Sequence, residues 1–300
     1  MARQVDALIA ATLKNVREQW WDATFSEFLQ ETLRPRPGNR ILDVGSGEGT
    51  AELSLGRMQV SQLKLVAIDK NFSRVSQTAA MGRSHNHRLG LAAADASRLP
   101  FSTAAFDATF CVAVLQHVVD VENAVREFAR VTRPGGRVLA VEPDNRARYW
   151  YSSVATGQTT FDLATRFFTA VAAARGESTD LAIGPKLTAI FSACAIEPVS
   201  VQLFPVTVTH IGPPPKSLWQ ARRDAVERAL QGVSDKSAVR IGHDYLDVQQ
   251  QYEQDAAHAG RSFVEIQNTM LFATLGQRTE VMLTTSREVA TSAKRERALQ

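Results

Sequence analysis

The chain reads as an α/β protein: a doubly wound, mostly parallel seven-stranded sheet with an antiparallel last strand, covered by a helical lid. Three observations predict this. Short apolar runs bounded by turns alternate with helical stretches from residue 40 to residue 141, the pattern of a parallel sheet with helices on both faces. The first of those runs enters a turn with glycine at 45, 47 and 49. Three acids, Asp43, Asp69 and Asp95, close the first three runs, at the carboxyl edge where an open parallel sheet binds its ligands.

The elements follow in order. Val5, Leu8, Ile9, Leu13 and Val16 share a helical face, and a second helix through Phe25, Phe28, Leu29 and Leu33 stops at Pro35 and Pro37. Strands are expected at Arg40–Val44, Leu63–Ile68, Gly90–Ala94, Ala108–Leu115 and Val138–Val141. An amphipathic helix through Val121, Val125, Phe128 and Val131 precedes the last of these, ending in the turn signal Arg133–Gly136. Residues 143–183 read as mainly helical, with Leu163, Phe167, Phe168 and Val171 as a stripe. A helix starting at Pro185 follows, then a strand over 197–209, a polar helical segment over 211–260, a strand over Phe263–Gly276 and a polar tail.

The organisation is therefore lid helices over 1–37, a ligand-binding core over 38–142 and a helical insertion over 143–183. Core returns at 184–210, a second insertion fills 211–260, the last strand occupies 261–277, and the tail covers 278–300. Both insertions leave the carboxyl edge, because one follows a parallel strand and the other joins a parallel strand to an antiparallel one.

Composition narrows the class of function. The chain has 300 residues, 44% of them apolar and 22% charged, with a net charge of +3, as in an ordinary globular protein with a sizeable core. Its basic residues are scattered, so no nucleic-acid partner is expected. Cys111 and Cys194 lie in apolar stretches and read as buried thiols, without the spacing of a disulfide framework or a metal site. No run approaches the ~20 apolar residues of a membrane span, and charges interrupt the N-terminal apolar positions as no signal peptide allows. A cytoplasmic location is the expectation, with no metal.

The glycine turn lets a ligand approach the backbone without a Cβ in the way. An acid closing the second strand can accept from both hydroxyls of a ribose, and one closing the third from the exocyclic amine of an adenine. A nicotinamide dinucleotide also uses such features, but its fingerprint is G-x-G-x-x-G. Counting from Gly45, Thr50 stands where the third glycine belongs. Each acid has a plainer reading: Asp43 as a turn cap, Asp69 as an N-cap for the helix after it.

The segments ILDVGSGEGT (41–50), VAID ending at Asp69, ADASRLPFSTAAFDATFCVAVLQHV (94–118) and VTRPGGRVLAVEP (131–143) together resemble the class I S-adenosylmethionine-dependent methyltransferases. The resemblance is to their ubiquinone/menaquinone- and sterol-type core, and covers about residues 38–143. It implies a Rossmann-like fold and S-adenosylmethionine as cofactor. It implies that Asp43, Gly45, Ser46 and Gly47 hold the methionine moiety, with Asp69 and Lys70 at the ribose. Asp95 and Ala96 would read the adenine, and the segment holding Val112 and Gln116 would lie along the cofactor.

Methyl transfer from a sulfonium is an in-line displacement governed by positioning and desolvation, and a base is needed only if the acceptor loses a proton. Candidates at the carboxyl edge are His117, Glu142 and His210. Aromatics gather in the lid segments, and Trp20, Trp21 and Tyr149 are the candidate acceptor contacts, pointing to an apolar or aromatic small molecule. Phe167 and Phe168 read as the lid's own core. Rival readings are a non-catalytic cofactor-binding regulator, a nicotinamide oxidoreductase and an enzyme with a macromolecular acceptor.

Overall fold

The computed structural model describes residues 21–85, 89–176, 180 and 182–280. The first expected helix, Trp20 and nearly all of the polar tail lie outside these residues. The first described helix, α1 (Ala23–Leu33), is capped by the Asp22 carboxylate, which accepts from the Phe25 N–H at 2.7 Å. Its stripe Phe25, Leu29 and Leu33 is buried, and Arg34 ends it in a left-handed conformation ahead of Pro35.

Five parallel strands then form the core: β1 (Arg40–Val44), β2 (Lys64–Asp69), β3 (Leu89–Ala93), β4 (Phe106–Val112) and β5 (Thr132–Ser152). Helices α2 (Thr50–Gly56), α3 (Phe72–Ser84) and α4 (Val121–Val131) connect them. A 3-10 turn (Gly184–Lys186), α6 (Leu187–Ala193), β6 (Ile196–Ile211) and β7 (Val264–Arg278) complete the core. The sheet order is β3-β2-β1-β4-β5-β7-β6, with β7 antiparallel to both neighbours. Seven strands, the antiparallel last one and the double winding are as the sequence predicts.

The two layers are hydrophobic for the reason a parallel sheet requires: strands such as β1 are buried on both faces. Phe25, Leu29, Ala51 and Leu55 pack on one face of the sheet, and Val125, Phe128, Leu187 and Phe191 on the other. Strand order reverses between β1 and β4, which opens a crevice at the carboxyl edge there.

One boundary needs correcting. The sequence reading ends the fifth strand at Val141 and assigns 143–183 to helices, whereas β5 runs on to Ser152 and its helix, α5 (Ala155–Ala174), begins later. The cause is long-range: β7 supplies partners up to Ser152↔Glu265, and β6 pairs β7 over the same stretch, up to Ile211↔Val264. The continuation is interrupted once. Asp144 pairs with Met270 and Tyr149 with Asn268, so Asn145–Arg148 bulge out against a single residue of β7.

These three long strands form an arm that rises past the carboxyl edge and carries a helical cap of α5, α7 (Lys216–Leu230) and α8 (Lys236–Ala259). Phe167, Val171, Val226 and Tyr245 make the cap's own core, as expected for Phe167. At its foot, Glu265 is fully buried, holds the Arg222 guanidinium through both oxygens and accepts from the Tyr252 hydroxyl at 2.7 Å. Trp219 is buried here too, under the Arg222 guanidinium at 4.8 Å. No described helix is long and apolar enough to cross a membrane.

Candidate active site

The glycine turn is tied down by β2. Gly45 and Ser46 donate their N–H groups to the Ile68 carbonyl at 2.7 and 2.9 Å. Gly45 has φ +81°, and a Cβ there would stand 2.3 Å from Val114 Cγ2; at Gly49, φ +87°, it would meet Met81 Cε at 2.5 Å. Both positions thus favour glycine by conformation, and at Gly45 the branched Val114 side chain excludes a Cβ as well. Gly45→Ala is expected to lower the melting temperature by several degrees and to displace Val114 from its place over the turn, read by thermal denaturation.

Asp69 is not a helix cap. Asn71 caps α3, accepting from the Ser73 N–H, while Asp69 accepts from the Gly47 N–H at 3.1 Å and the Asn71 N–H at 2.8 Å. One carboxylate thus joins the glycine turn to the end of β2. Asp95 closes β3's loop, accepts from the Ser97 N–H and pairs with Lys70 Nζ at 2.7 Å. That Lys70 contact, above all, draws its pKa down. Ala96 is buried beside it.

Asp43 is buried, and against it lies a residue the sequence reading missed, Glu52 of α2. Neither Glu52 oxygen has a well-formed hydrogen bond. Burial raises both pKa values, Asp43 further through the charges of Glu52 and Asp69, and Glu52 is pushed up to about 7. Two buried carboxyls in contact cannot both ionise at modest cost, so near neutrality they hold a proton between them. The available signal was an acid on the buried side of a helix, in AELSL just past the turn.

Glu142, one of the base candidates, is held by backbone donors. It is fully buried, and its carboxylate accepts from the N–H groups of Val114 and Leu115 at 2.7 Å each and of Gln116 at 3.4 Å. Its lone pairs are committed to holding the loop after β4, which makes it a positioning group. Glu142→Gln, which replaces one acceptor oxygen by a donor facing N–H groups, is expected to destabilise the fold by about 2–3 kcal/mol. Chemical denaturation reads this, and the pH profile of any turnover should keep its shape.

His210, another base candidate, lies along the arm. It pairs with Glu265, seven residues along β7 from the partner of Glu142, Phe272. At ~3.4 Å per residue the separation is about 24 Å, beyond reach of a group reacting at the end of β4. Burial lowers its pKa, at the cap's foot and not at the crevice. His117 lies in the 3-10 turn Leu115–His117 with an exposed side chain at the crevice rim. Val112, half-buried, and Gln116, 4% exposed, border the same crevice.

Of the expected acceptor contacts, Trp21 packs edge-to-face on Phe25 at 5.1 Å, and Phe25 in turn on Phe204 at 5.6 Å. Phe204 shares a rung with Leu271 and Pro143, so Trp21, just ahead of the α1 cap, lies toward the carboxyl edge. Tyr149 is 55% exposed just past the bulge, its N–H donated to Asn268 Oδ1. Trp150, by contrast, stacks on Phe161 in the cap's foot. The bulge itself reaches the crevice: Asn145 donates to Gln116 Oε1 at 3.3 Å and accepts from Arg148 at 2.6 Å.

This sheet order, with a glycine turn after β1 joined to an acid closing β2, is the Rossmann-like fold found in class I S-adenosylmethionine-dependent methyltransferases. Residues 42–140 match a family model described as a methyltransferase domain. The chain is 36% identical over 142 residues to demethylmenaquinone methyltransferase of Mycobacterium marinum, covering 47% of this chain and 55% of that protein. It is 32% identical over 117 residues to the methyltransferase GfsG of Streptomyces halstedii, 39% of this chain and 42% of that one. It thus spans about half the length of the curated relatives it matches. Among solved structures it resembles the YcgJ protein of Bacillus subtilis, with TM-score 0.56 and 17% identity over 85% of this chain and 98% of that one. The [4+2]-cyclase SpnF is similar at TM-score 0.50 and 19% identity, over 85% and 80%. At such identities the likeness is one of fold.

Residues 42–140 carry a methyltransferase domain, and S-adenosylmethionine is the cofactor such a domain takes. The residues in place suit it: a turn with no room for a side chain at Gly45, an acid closing β2 bonded to that turn, and a buried acid pair with unfilled hydrogen-bonding capacity.

Proposed function

We propose that the whole chain transfers a methyl group from S-adenosylmethionine to a small molecule held between the crevice and the helical cap. The observation that carries this is the three-strand alignment of acids, with Asp69 bonded to the Gly47 N–H across the glycine turn. In this reading Asp43 and the 45–47 turn hold the methionine end, with Glu52 added to the set. Asp69 takes the ribose hydroxyls, and Asp95 with Ala96 the adenine, while Lys70 moves off Asp95. When bound, the cofactor supplies an electrophilic methyl carbon on a positive sulfur. The loop from Val112 to Gln116, pinned by Glu142, borders that carbon, and the cap serves as a lid that keeps water away from the acceptor lone pair.

Two features support a small acceptor over a macromolecule: a helical cap carried on the arm formed by β5, β6 and β7, and the scattered charge. Trp21 and Tyr149 lend the chamber an apolar rim. His117 is the remaining titratable candidate to take a proton where the acceptor must lose one. The test is calorimetric titration with S-adenosylmethionine and with NADH, followed by methyl-tritiated cofactor with a panel of phenols and quinols. Micromolar binding of the first alone, with label transferred to one panel member, is expected. Binding of NADH instead would overturn the reading.

A further inference from the structure

Arg148 stands in an unusual setting. It sits in the four-residue bulge of β5, and bulges of this kind re-aim side chains next to functional sites. Its guanidinium donates to Asn145 Oδ1 at 2.6 Å, and Asn145 donates to Gln116 Oε1 at 3.3 Å. Two side chains therefore connect it to the loop bordering the crevice. The residue is exposed to water, yet protein surrounds its guanidinium closely enough for desolvation to lower its pKa. The hydrogen bonds through Asn145 hold it beside the loop that borders the crevice.

The neighbouring charges are already engaged. Asp144 accepts from the N–H groups of Arg146 and Ala147 within the bulge, and Asp180 pairs with Lys186 at 2.6 Å and feels Arg146. Among the described residues no carboxylate pairs with Arg148, whose pKa desolvation lowers. An arginine at the crevice rim, always charged, paired with no acid among the described residues and with its guanidinium bonded to Asn145, is a site for an oxyanion.

Taking the methyltransferase reading as its basis, we propose that Arg148 binds an anionic group, carboxylate or phosphate, on the otherwise apolar methyl acceptor. The Gln116–Asn145–Arg148 chain sets the height of that anion above the loop after β4, and so selects which acceptor atom meets the methyl carbon.

The test is calorimetry on protein saturated with S-adenosylhomocysteine, using 1-naphthoate, octyl phosphate and neutral 1-naphthamide as probes. The wild type is expected to bind at least one anionic probe ten-fold or more tightly than the amide. The stronger anion tells carboxylate from phosphate. Arg148→Met should lose that preference ten-fold or more, Arg148→Lys should keep part of it, and Arg146→Met should keep it all. Affinity for S-adenosylhomocysteine should stay within two-fold in Arg148→Met, which also certifies its fold.

No preference for either anion in the wild type, or equal preference in Arg148→Met, would overturn the proposal. So would a parallel loss of S-adenosylhomocysteine affinity in that variant, since Arg148 would then serve the cofactor's own carboxylate. Failure of S-adenosylhomocysteine to bind the wild type would instead strike the methyltransferase reading beneath it.

Discussion

Asp69→Ala is expected to weaken S-adenosylmethionine binding by roughly 100-fold or more, with the fold intact. The carboxylate accepts from Gly47 and Asn71 N–H groups and, on the proposed reading, from two ribose hydroxyls as well. Hydrogen bonds to a charged group contribute about 1.5–3 kcal/mol each, and every ~1.4 kcal/mol is ten-fold in affinity. Loss of both ribose bonds alone therefore exceeds two decades. The Gly47 N–H would lose its anchor too, loosening the turn at the methionine end. Asp69→Asn, which keeps one acceptor oxygen and the shape, should recover part of the loss. Titration calorimetry reads all three proteins, and equal affinity in wild type and Asp69→Ala would remove Asp69 from the site.

The second large effect lies in the Asp43–Glu52 pair and is a dependence on pH. Glu52 titrates near 4.5 when unfolded and at about 7 in the fold, raised first by burial. The folded state therefore binds the proton more tightly than the unfolded chain. As pH climbs from about 4.5 through 7 the cofactor-free protein loses stability, and above 7 the penalty is complete. Each pH unit between those two values costs ~1.4 kcal/mol, so the full penalty is on the order of 3 kcal/mol. Glu52→Gln removes it, so the variant should melt several degrees above wild type at pH 8 and no higher at pH 4.5.

The same pair should make cofactor binding sensitive to pH. A positive sulfur favours the ionised acids, so affinity for S-adenosylmethionine is expected to rise by up to about ten-fold per pH unit as pH passes from 6 to 7. The rise should be shallower for S-adenosylhomocysteine, whose sulfur is neutral, and lost in Glu52→Gln. Calorimetry in buffers of differing ionisation enthalpy would count the proton released. A flat profile for wild type would show that the pair keeps its proton in the complex.

These effects differ in how far the sequence exposes them. Asp69 was legible because it ends a short apolar run at a fixed distance past a glycine turn, and both signals are local. Asp43 was legible for the same reason. That Asp69 receives the Gly47 N–H, and so is no helix cap, could be learned only from β1 and β2 lying side by side. Glu52 was hidden because an acid in the first turn of a helix is ordinary. Its burial depends on which face α2 turns to the sheet and on Asp43 already being there. Glu142 and His210 both lie on strands, Glu142 within β5 and His210 next to the end of β6, but strand position does not reveal hydrogen-bond partners. Three N–H groups from residues 114–116 occupy one of them, and seven rungs of β7 separate the other from the crevice.

By itself the sequence determined the alternation of strands and helices, the strand positions, the glycine turn and the acids at the carboxyl edge. Periodicity, turn chemistry and strand-end position are written in neighbouring residues, so no tertiary contact is needed to read them. The tertiary structure alone decided that β5, β6 and β7 extend into an arm under the cap. It also decided that Asn145–Arg148 bulge toward Gln116 and that Asp43 and Glu52 share one buried space. Each of these rests on pairing between residues tens to more than a hundred positions apart, or on one side chain removing another from water. Such energies belong to the assembled fold and leave no periodic trace in the chain.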